Sequence, residues 1–297
     1  IFIGIFIVFS IIFILNKDIY NKIAISTGLK SKPASNAEFS VHFIDVAQGD
    51  CSLIIIGDKI VLIDTGDAVY SQKVIYYIKA QNINTIDYVI LSHPHADHIG
   101  GFINIAKAFK IKSVYMRDIP DKNVPEDVDY YNFIKVIKDK NINVCYPEFE
   151  EKLSVNNAEL IFYTLPVDYD NLNNASIITK INYQNTSFLF TGDIEKKAEK
   201  DIIVKNIDLK ADVLKVAHHG SNTSSSDEFL ERVKPGYCVI SCGVNNSFNH
   251  PTNNTISRLS KYTSDILRTD LLSDIVFEFD GNKLKYLFRK EWFICYQ

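Results

Sequence analysis

From residue 38 onward, short apolar runs closed by glycine, asparagine or an acid alternate with stretches whose apolar residues return every three or four positions. The first kind of run predicts half-buried or buried strands, the second amphipathic helices. Strands are expected over 38–46, twice within 51–64 on either side of Gly57-Asp58, and over 86–92 and 113–116. Helices are expected over 69–80 and 98–109. Between 117 and 151 the pattern loosens around a single helix at 130–139. A second strand-rich half follows, with strands over 158–165, 177–183, 187–190, 213–217 and 237–241 and helices over 195–205, 227–233 and 252–262. Two strands at 275–279 and 283–288 complete it. Strands in series with helices laid outside predict an α/β fold of two halves whose sheets pack on each other between helices, an αββα sandwich.

Residues 1–15 break this pattern, being apolar almost throughout with no polar face, and they run into Asn16, Lys17 and Asp18. Fifteen residues fall short of the roughly 20 that span a bilayer. The single methionine is Met116, so the sequence is expected to lack its native start, and the segment is read as a membrane anchor or signal segment. Residues 16–37 then read as a polar tether and 38–297 as the folded domain. On this reading the protein is membrane-anchored or secreted, with its domain outside the cell.

Composition narrows the class further. The chain has 297 residues, 46% of them hydrophobic, enough for a substantial core and too apolar for disorder. Its net charge of −4 gives no overall basic field of the kind that advertises nucleic-acid binding. The five cysteines are odd in number, lack a CxxC pair and sit mostly in apolar, strand-like surroundings, so free buried thiols are expected.

The candidate chemistry lies where strands end. Six of the seven histidines fall in three short clusters. His93, His95, Asp97 and His98 follow one apolar run within six residues, and imidazole nitrogen and carboxylate oxygen are ligands of zinc and similar ions. His93 and His95 can share one ion, while Asp97 and His98 enter the next helix and can reach a second. Asp64 ends another apolar run, either as a turn cap or as a carboxylate that orients a ligating histidine. Asp193 closes the run Phe188 to Gly192 in the same manner; it either caps the next helix or bridges two metals, and its likeness in context to Asp64 favours the bridge. His218 and His219 follow a further strand, and two adjacent side chains there are expected to divide between ligand and substrate contact. His250, in a loop, and Arg268, whose guanidinium suits bidentate phosphate binding, complete the candidates.

Together HxHxDH with its following glycines, LIDTG, TGD and HHGS resemble the metallo-β-lactamase superfamily. More narrowly, FIDVAQGD, NNAS, VLKVAHHGSNTSSS, the His-Pro pair and RTD resemble the hydrolase domain of ComEC-type competence proteins and their short, anchored relatives, over about residues 39–288. The resemblance implies an αββα sandwich with two divalent ions, Zn²⁺ or Mn²⁺, at one edge. It implies that His93 and His95 hold one ion, Asp97, His98 and His219 the other, and Asp193 both, with His218 facing the substrate phosphate. Where many members carry a further histidine before TGD, this chain has Asn173, Asn174 and Ser176, so Asn174 is expected to support the site in place of a stronger ligand.

Two ions would furnish a bridging hydroxide at neutral pH, which is hydrolytic chemistry. Ser221, Thr223, Ser224 and Arg268 offer donors suited to phosphate, so a phosphodiester, DNA among them, is the expected substrate. Asp97 as base and His218 as leaving-group acid would move protons, with His250 beside them. The alternatives are hydrolysis of another ester, whether a phosphocholine ester, a lactone or a β-lactam, and a non-catalytic domain stabilised by metal.

Overall fold

A computed structural model describes residues 37–120, 123–125 and 128–288. The expected anchor over 1–15 and all but the last residue of the tether lie outside the described residues. Among the described residues no helix is long and apolar enough to cross a membrane.

Each half of the chain follows one plan, an antiparallel meander that turns into a parallel run. In the first half β1 (Phe39–Phe43), β2 (Ser52–Ile56) and β3 (Lys59–Ile63) form the meander. Helix α1 (Ser71–Ala80) then crosses to β4 (Thr85–Ile90), which lies parallel to β3. Helices α2 (Ala96–Ile99) and α3 (Phe102–Ala108) lead to β5 (Lys110–Tyr115), and α4 (Val128–Asp139) to β6 (Asn143–Cys145), both added in parallel.

The second half opens with β7 (Glu151–Val155), β8 (Ala158–Tyr163), β9 (Ile178–Tyr183) and β10 (Thr186–Phe190), all antiparallel neighbours. Helices α5 (Lys196–Val204), α6 (Asp227–Val233) and α7 (Asn253–Leu259) connect the parallel strands β11 (Val213–Lys215), β12 (Tyr237–Ile240) and β13 (Ile266–Arg268). After the single turn α8 (Thr269–Leu272), the hairpin β14 (Ile275–Phe279) and β15 (Leu284–Phe288) returns to the first sheet, where β14 pairs with β1. Among the described residues the sheets therefore have eight and seven strands.

Three apolar layers hold this sandwich together. The central one lies between the sheets, where Phe39 stacks on Tyr183 at 4.3 Å between centroids and Tyr115 on Phe162 at 5.0 Å. Phe43, Phe188 and Phe277 fill the same layer and are wholly buried, so truncating any one to alanine is worth about 3–5 kcal/mol. The outer layers pack α1, α3 and α4 on the first sheet and α5 and α6 on the second.

The structure departs from the sequence pattern in a few places. The helix expected over 98–109 is two short helices, because the N–H of Gly101 donates to the Gly66 carbonyl and the His98 carbonyl accepts from Thr65. A side chain at Gly101 would lie 2.3 Å from the Thr65 oxygen, so only glycine allows this crossing. The short strands β6, β7 and β13 and the turn α8 lack a long enough apolar run to be seen in sequence. Cys51, Cys238 and Cys242 are buried free thiols and Cys145 is half-buried.

Candidate metal centre

The parallel runs of the two sheets bring the ends of β3 and β4 together with those of β10, β11 and β12. Ligand sites in open α/β sheets form at such carboxyl ends. Asp97, His98, Asp193 and His219 meet there, with one potential ligand atom from each within 4.8 Å of all the others. Three of the four side chains are buried; Asp97, 32% exposed, is the open one.

Hydrogen bonds behind the ring fix which atoms face inward. His98 Nδ1 lies 2.8 Å from Asp64 Oδ2, and the same carboxylate accepts from Ser92 N and Oγ, both at 2.8 Å. Asp64 can only accept when ionised, so Nδ1 carries the hydrogen and His98 Nε2 is left to the cluster. That nitrogen is buried with no hydrogen-bond partner among the described residues, 3.4 Å from Asp193 Oδ2. His219 Nδ1 donates to the Ser241 carbonyl at 2.9 Å, which turns Nε2 toward Asp97 (3.1 Å) and Asp193 (3.6 Å). Asp193 Oδ1 is likewise buried and unpartnered.

Burial opposes charge on every member, yet the mutual field wins. Asp193, Asp64 and Asp97 hold the His98 pKa well above its ordinary value. His219 is raised by Asp193 and Asp50 and by its hydrogen bond with Asp97. In return His219 and His98 hold Asp193 well below the usual carboxylate range, and the same two histidines lower Asp97. The carboxylates stay ionised, and a divalent cation would displace the protons that this field holds on His98 and His219. Orphaned nitrogen and oxygen atoms in a ring of two acids and two histidines fit a divalent cation.

His93 and His95 adjoin this group. Their rings touch through His93 Nε2 and His95 Nδ1 at 3.0 Å, and the His93 ring lies 4.1 Å from that of His98 between centroids. Burial lowers the pKa of both, His93 strongly with help from His98, so both imidazoles are neutral and able to offer a lone pair.

His218 and His219 lack the opposite-facing alternation of an extended strand. Both adopt left-handed backbone angles, φ 51° and 52°, which cancel the alternation and turn both rings toward Asp193. Such a conformation costs about 1–3 kcal/mol per residue away from glycine, and pairs of this kind concentrate at functional sites. His218 Nε2 lies 3.9 Å from Asp193 Oδ2, and its Nδ1 lies 3.3 Å from Thr223 Oγ1, which in turn meets Ser221 Oγ at 3.0 Å. The His250 ring stands 5.7 Å from that of His218, and burial together with His218 and His219 pushes its pKa down to about 4.

Three of the expected site residues are held by other parts of the chain. Asn174 Oδ1 accepts from the N–H groups of Glu195 and Ala198, capping α5, and it is Ser176 Oγ that lies 3.3 Å from His93 Nδ1. Ser224 is fully buried, its carbonyl held by Arg258, in a segment whose next two N–H groups bind the buried Glu199 carboxylate. The Arg268 fork is spent on Asp270, at 3.0 and 2.6 Å, because the acid two residues on is the nearest bidentate partner.

Two residues that sequence reasoning passed over stand behind His219. Asp50 pairs with Lys215 at 2.8 Å, both buried, and Asp50 Oδ1 lies 3.5 Å from His219 Nδ1. The signal was available: a lysine inside the apolar run Val213 to Ala217 requires a buried acid.

Residues 44–244 match the metallo-beta-lactamase superfamily. The chain is 30% identical over 259 residues to "ComE operon protein 3" of Bacillus subtilis, a match covering 80% of this chain and 33% of that protein. It is 28% identical over 245 residues to "Competence protein ComA" of Neisseria gonorrhoeae, covering 81% and 32% respectively. The chain thus spans about a third of the length of these curated relatives. Its fold is similar to the solved metallo-beta-lactamase fold protein YhfI of Bacillus subtilis, with TM-score 0.50, 17% identity and coverage of 77% of this chain and 95% of that one.

Proposed function

This chain belongs to the metallo-beta-lactamase superfamily, and from that premise we propose that it is a two-metal phosphodiesterase acting on nucleic acid outside the cytoplasm. The observation that carries the reading is the ring of Asp97, His98, Asp193 and His219, whose potential ligand atoms lie within 4.8 Å of one another and in which His98 Nε2 and Asp193 Oδ1 are buried without a partner among the described residues. His93 and His95 would hold the first ion with Asp193, and Asp97, His98 and His219 the second. When bound, such ions supply an acidified water and screen the charge that builds on the attacked oxygens.

The chain's own groups set the rest. Asp97 is the open carboxylate of the ring and would take the proton of the attacking water. His218, 22% exposed and in contact with Thr223, would donate to the leaving oxygen. Ser221 and Thr223 add hydroxyl donors for a phosphate oxygen. With Arg268 paired to Asp270 and Ser224 fully buried, these donors and the metal ions carry the preference for a phosphodiester. The competence names of the two relatives support DNA as the polymer, and the apolar segment 1–15 supports attachment to a membrane.

Purified protein is expected to hydrolyse bis-p-nitrophenyl phosphate with manganese or zinc and to lose this activity to a chelator. His95→Ala should abolish turnover. Cleavage of nitrocefin, with no phosphodiester turnover under any divalent metal, would overturn the reading in favour of a lactamase.

A further inference from the structure

The loop after β12 carries an aromatic side chain that no feature described so far explains. Phe248 is 63% exposed, and one face of its ring is stacked on His250, with centroids 5.7 Å apart and planes inclined by 25°. His250 in turn meets His218 edge-on, and His218 lies against Asp193. A continuous line of rings therefore runs from the candidate metal centre to an open aromatic face at its rim.

The loop holds this face in place. The Asn246 amide bonds the carbonyls of Gly243 (2.9 Å) and His250 (2.6 Å), and its oxygen accepts from His250 N at 2.9 Å. Gly243 N is anchored to Gln48 Oε1 at 3.3 Å, and Thr252 N to the Gly220 carbonyl at 3.0 Å, directly beside the two histidines. Exposure of a single apolar side chain is ordinary on its own. An aromatic ring clamped in a cross-braced loop, with one face backed by an imidazole of the site, is a preorganised stacking surface.

We propose that Phe248, backed by His250, is a stacking platform for a base flanking the scissile phosphate, so that the site favours single-stranded nucleic acid over phosphodiesters without flat substituents. Single-stranded polymers leave base faces free to stack, and every base has such a face, so the platform selects unpaired nucleic acid with little regard to sequence. The proposal rests on the phosphodiesterase reading, but its test separates the two.

The first arm compares oligothymidylate with an oligomer of abasic sugar phosphates. In Phe248→Ala the ratio of kcat/KM for the base-bearing over the baseless substrate should fall about tenfold, chiefly through KM, as expected for about 1.4 kcal/mol of lost stacking. Phe248→Trp should restore the ratio. An equal fall on both substrates, or no fall on either, would overturn the proposal. The second arm is binding of a phosphorothioate oligonucleotide carrying 2-aminopurine to the metal-loaded protein. Quenching on binding that is weakened in Phe248→Ala and kept in Phe248→Trp supports the platform, and absence of quenching in the unaltered protein refutes it. Quenching without turnover of any phosphodiester would leave the platform standing and overturn the phosphodiesterase reading, whereas turnover of bis-p-nitrophenyl phosphate without quenching would do the reverse.

Discussion

Asp64 and Asp193 occupy matching places in the two halves and do opposite work. β3 and β10 are each the strand at which an antiparallel meander becomes a parallel run, and each ends in a threonine, a glycine and an acid. After β3 the acid comes first, in Asp64-Thr65-Gly66; after β10 it comes last, in Thr191-Gly192-Asp193. The shift changes what the carboxylate faces. Asp64, with φ 55°, points back into the sheet end, where Ser92 and His98 saturate it. Asp193 projects past the turn into the cleft, with Oδ1 unpartnered and Oδ2 close to His98, His218 and His219. One half therefore supplies a supporting acid and the other an acid that faces the cluster, a difference that a two-residue offset produces.

The sharpest way to break this comparison is to neutralise each acid in turn. Asp193→Asn should cut phosphodiester kcat/KM by roughly 10²- to 10³-fold or more, since it removes preorganised charge at the reacting centre. Asp64→Asn should cost about 10- to 100-fold, the usual effect of removing the partner that orients a ligating histidine. Equal losses would show that the two acids are not distinguished as described. Ser92→Ala, which removes one of the hydrogen bonds to Asp64, should cost only about 1 kcal/mol, seen as a several-fold rise in the metal concentration needed for half-maximal activity. Arg268→Gln comes last. Its guanidinium is paired with Asp270 near the surface, so kcat/KM should change less than about twofold and unfolding free energy by about 0–1 kcal/mol, measured by urea titration.

The same contrast shows where sequence was a sufficient guide. The ligand-rich stretch from His93 to His98 was legible because its residues are neighbours in the chain, and the central strands were legible because both their faces are buried. Edge strand β7 was not, since Glu151, Lys152 and Ser154 leave it only two apolar positions. Support from Asp50 and Lys215 was hidden because a buried ion pair joins segments far apart in sequence. Ser224 and Arg268 show a related effect: a hydroxyl and a guanidinium suit a phosphate equally well in sequence, whether the fold buries the one or pairs the other. Only the fold shows that Glu199, Arg258 and Asp270 occupy that neighbourhood. The paired left-handed conformation of His218 and His219 had no sequence signal beyond the following glycine.

Calorimetric titration of chelator-stripped protein with Zn²⁺ or Mn²⁺ tests the central claim most directly, run in parallel on Asp193→Asn and Asp64→Asn. The account predicts that Asp193→Asn loses bound metal, while Asp64→Asn keeps the stoichiometry of the unaltered protein and binds more weakly, by about 10- to 100-fold. An Asp193→Asn protein that binds as many ions as tightly as the unaltered chain would contradict it.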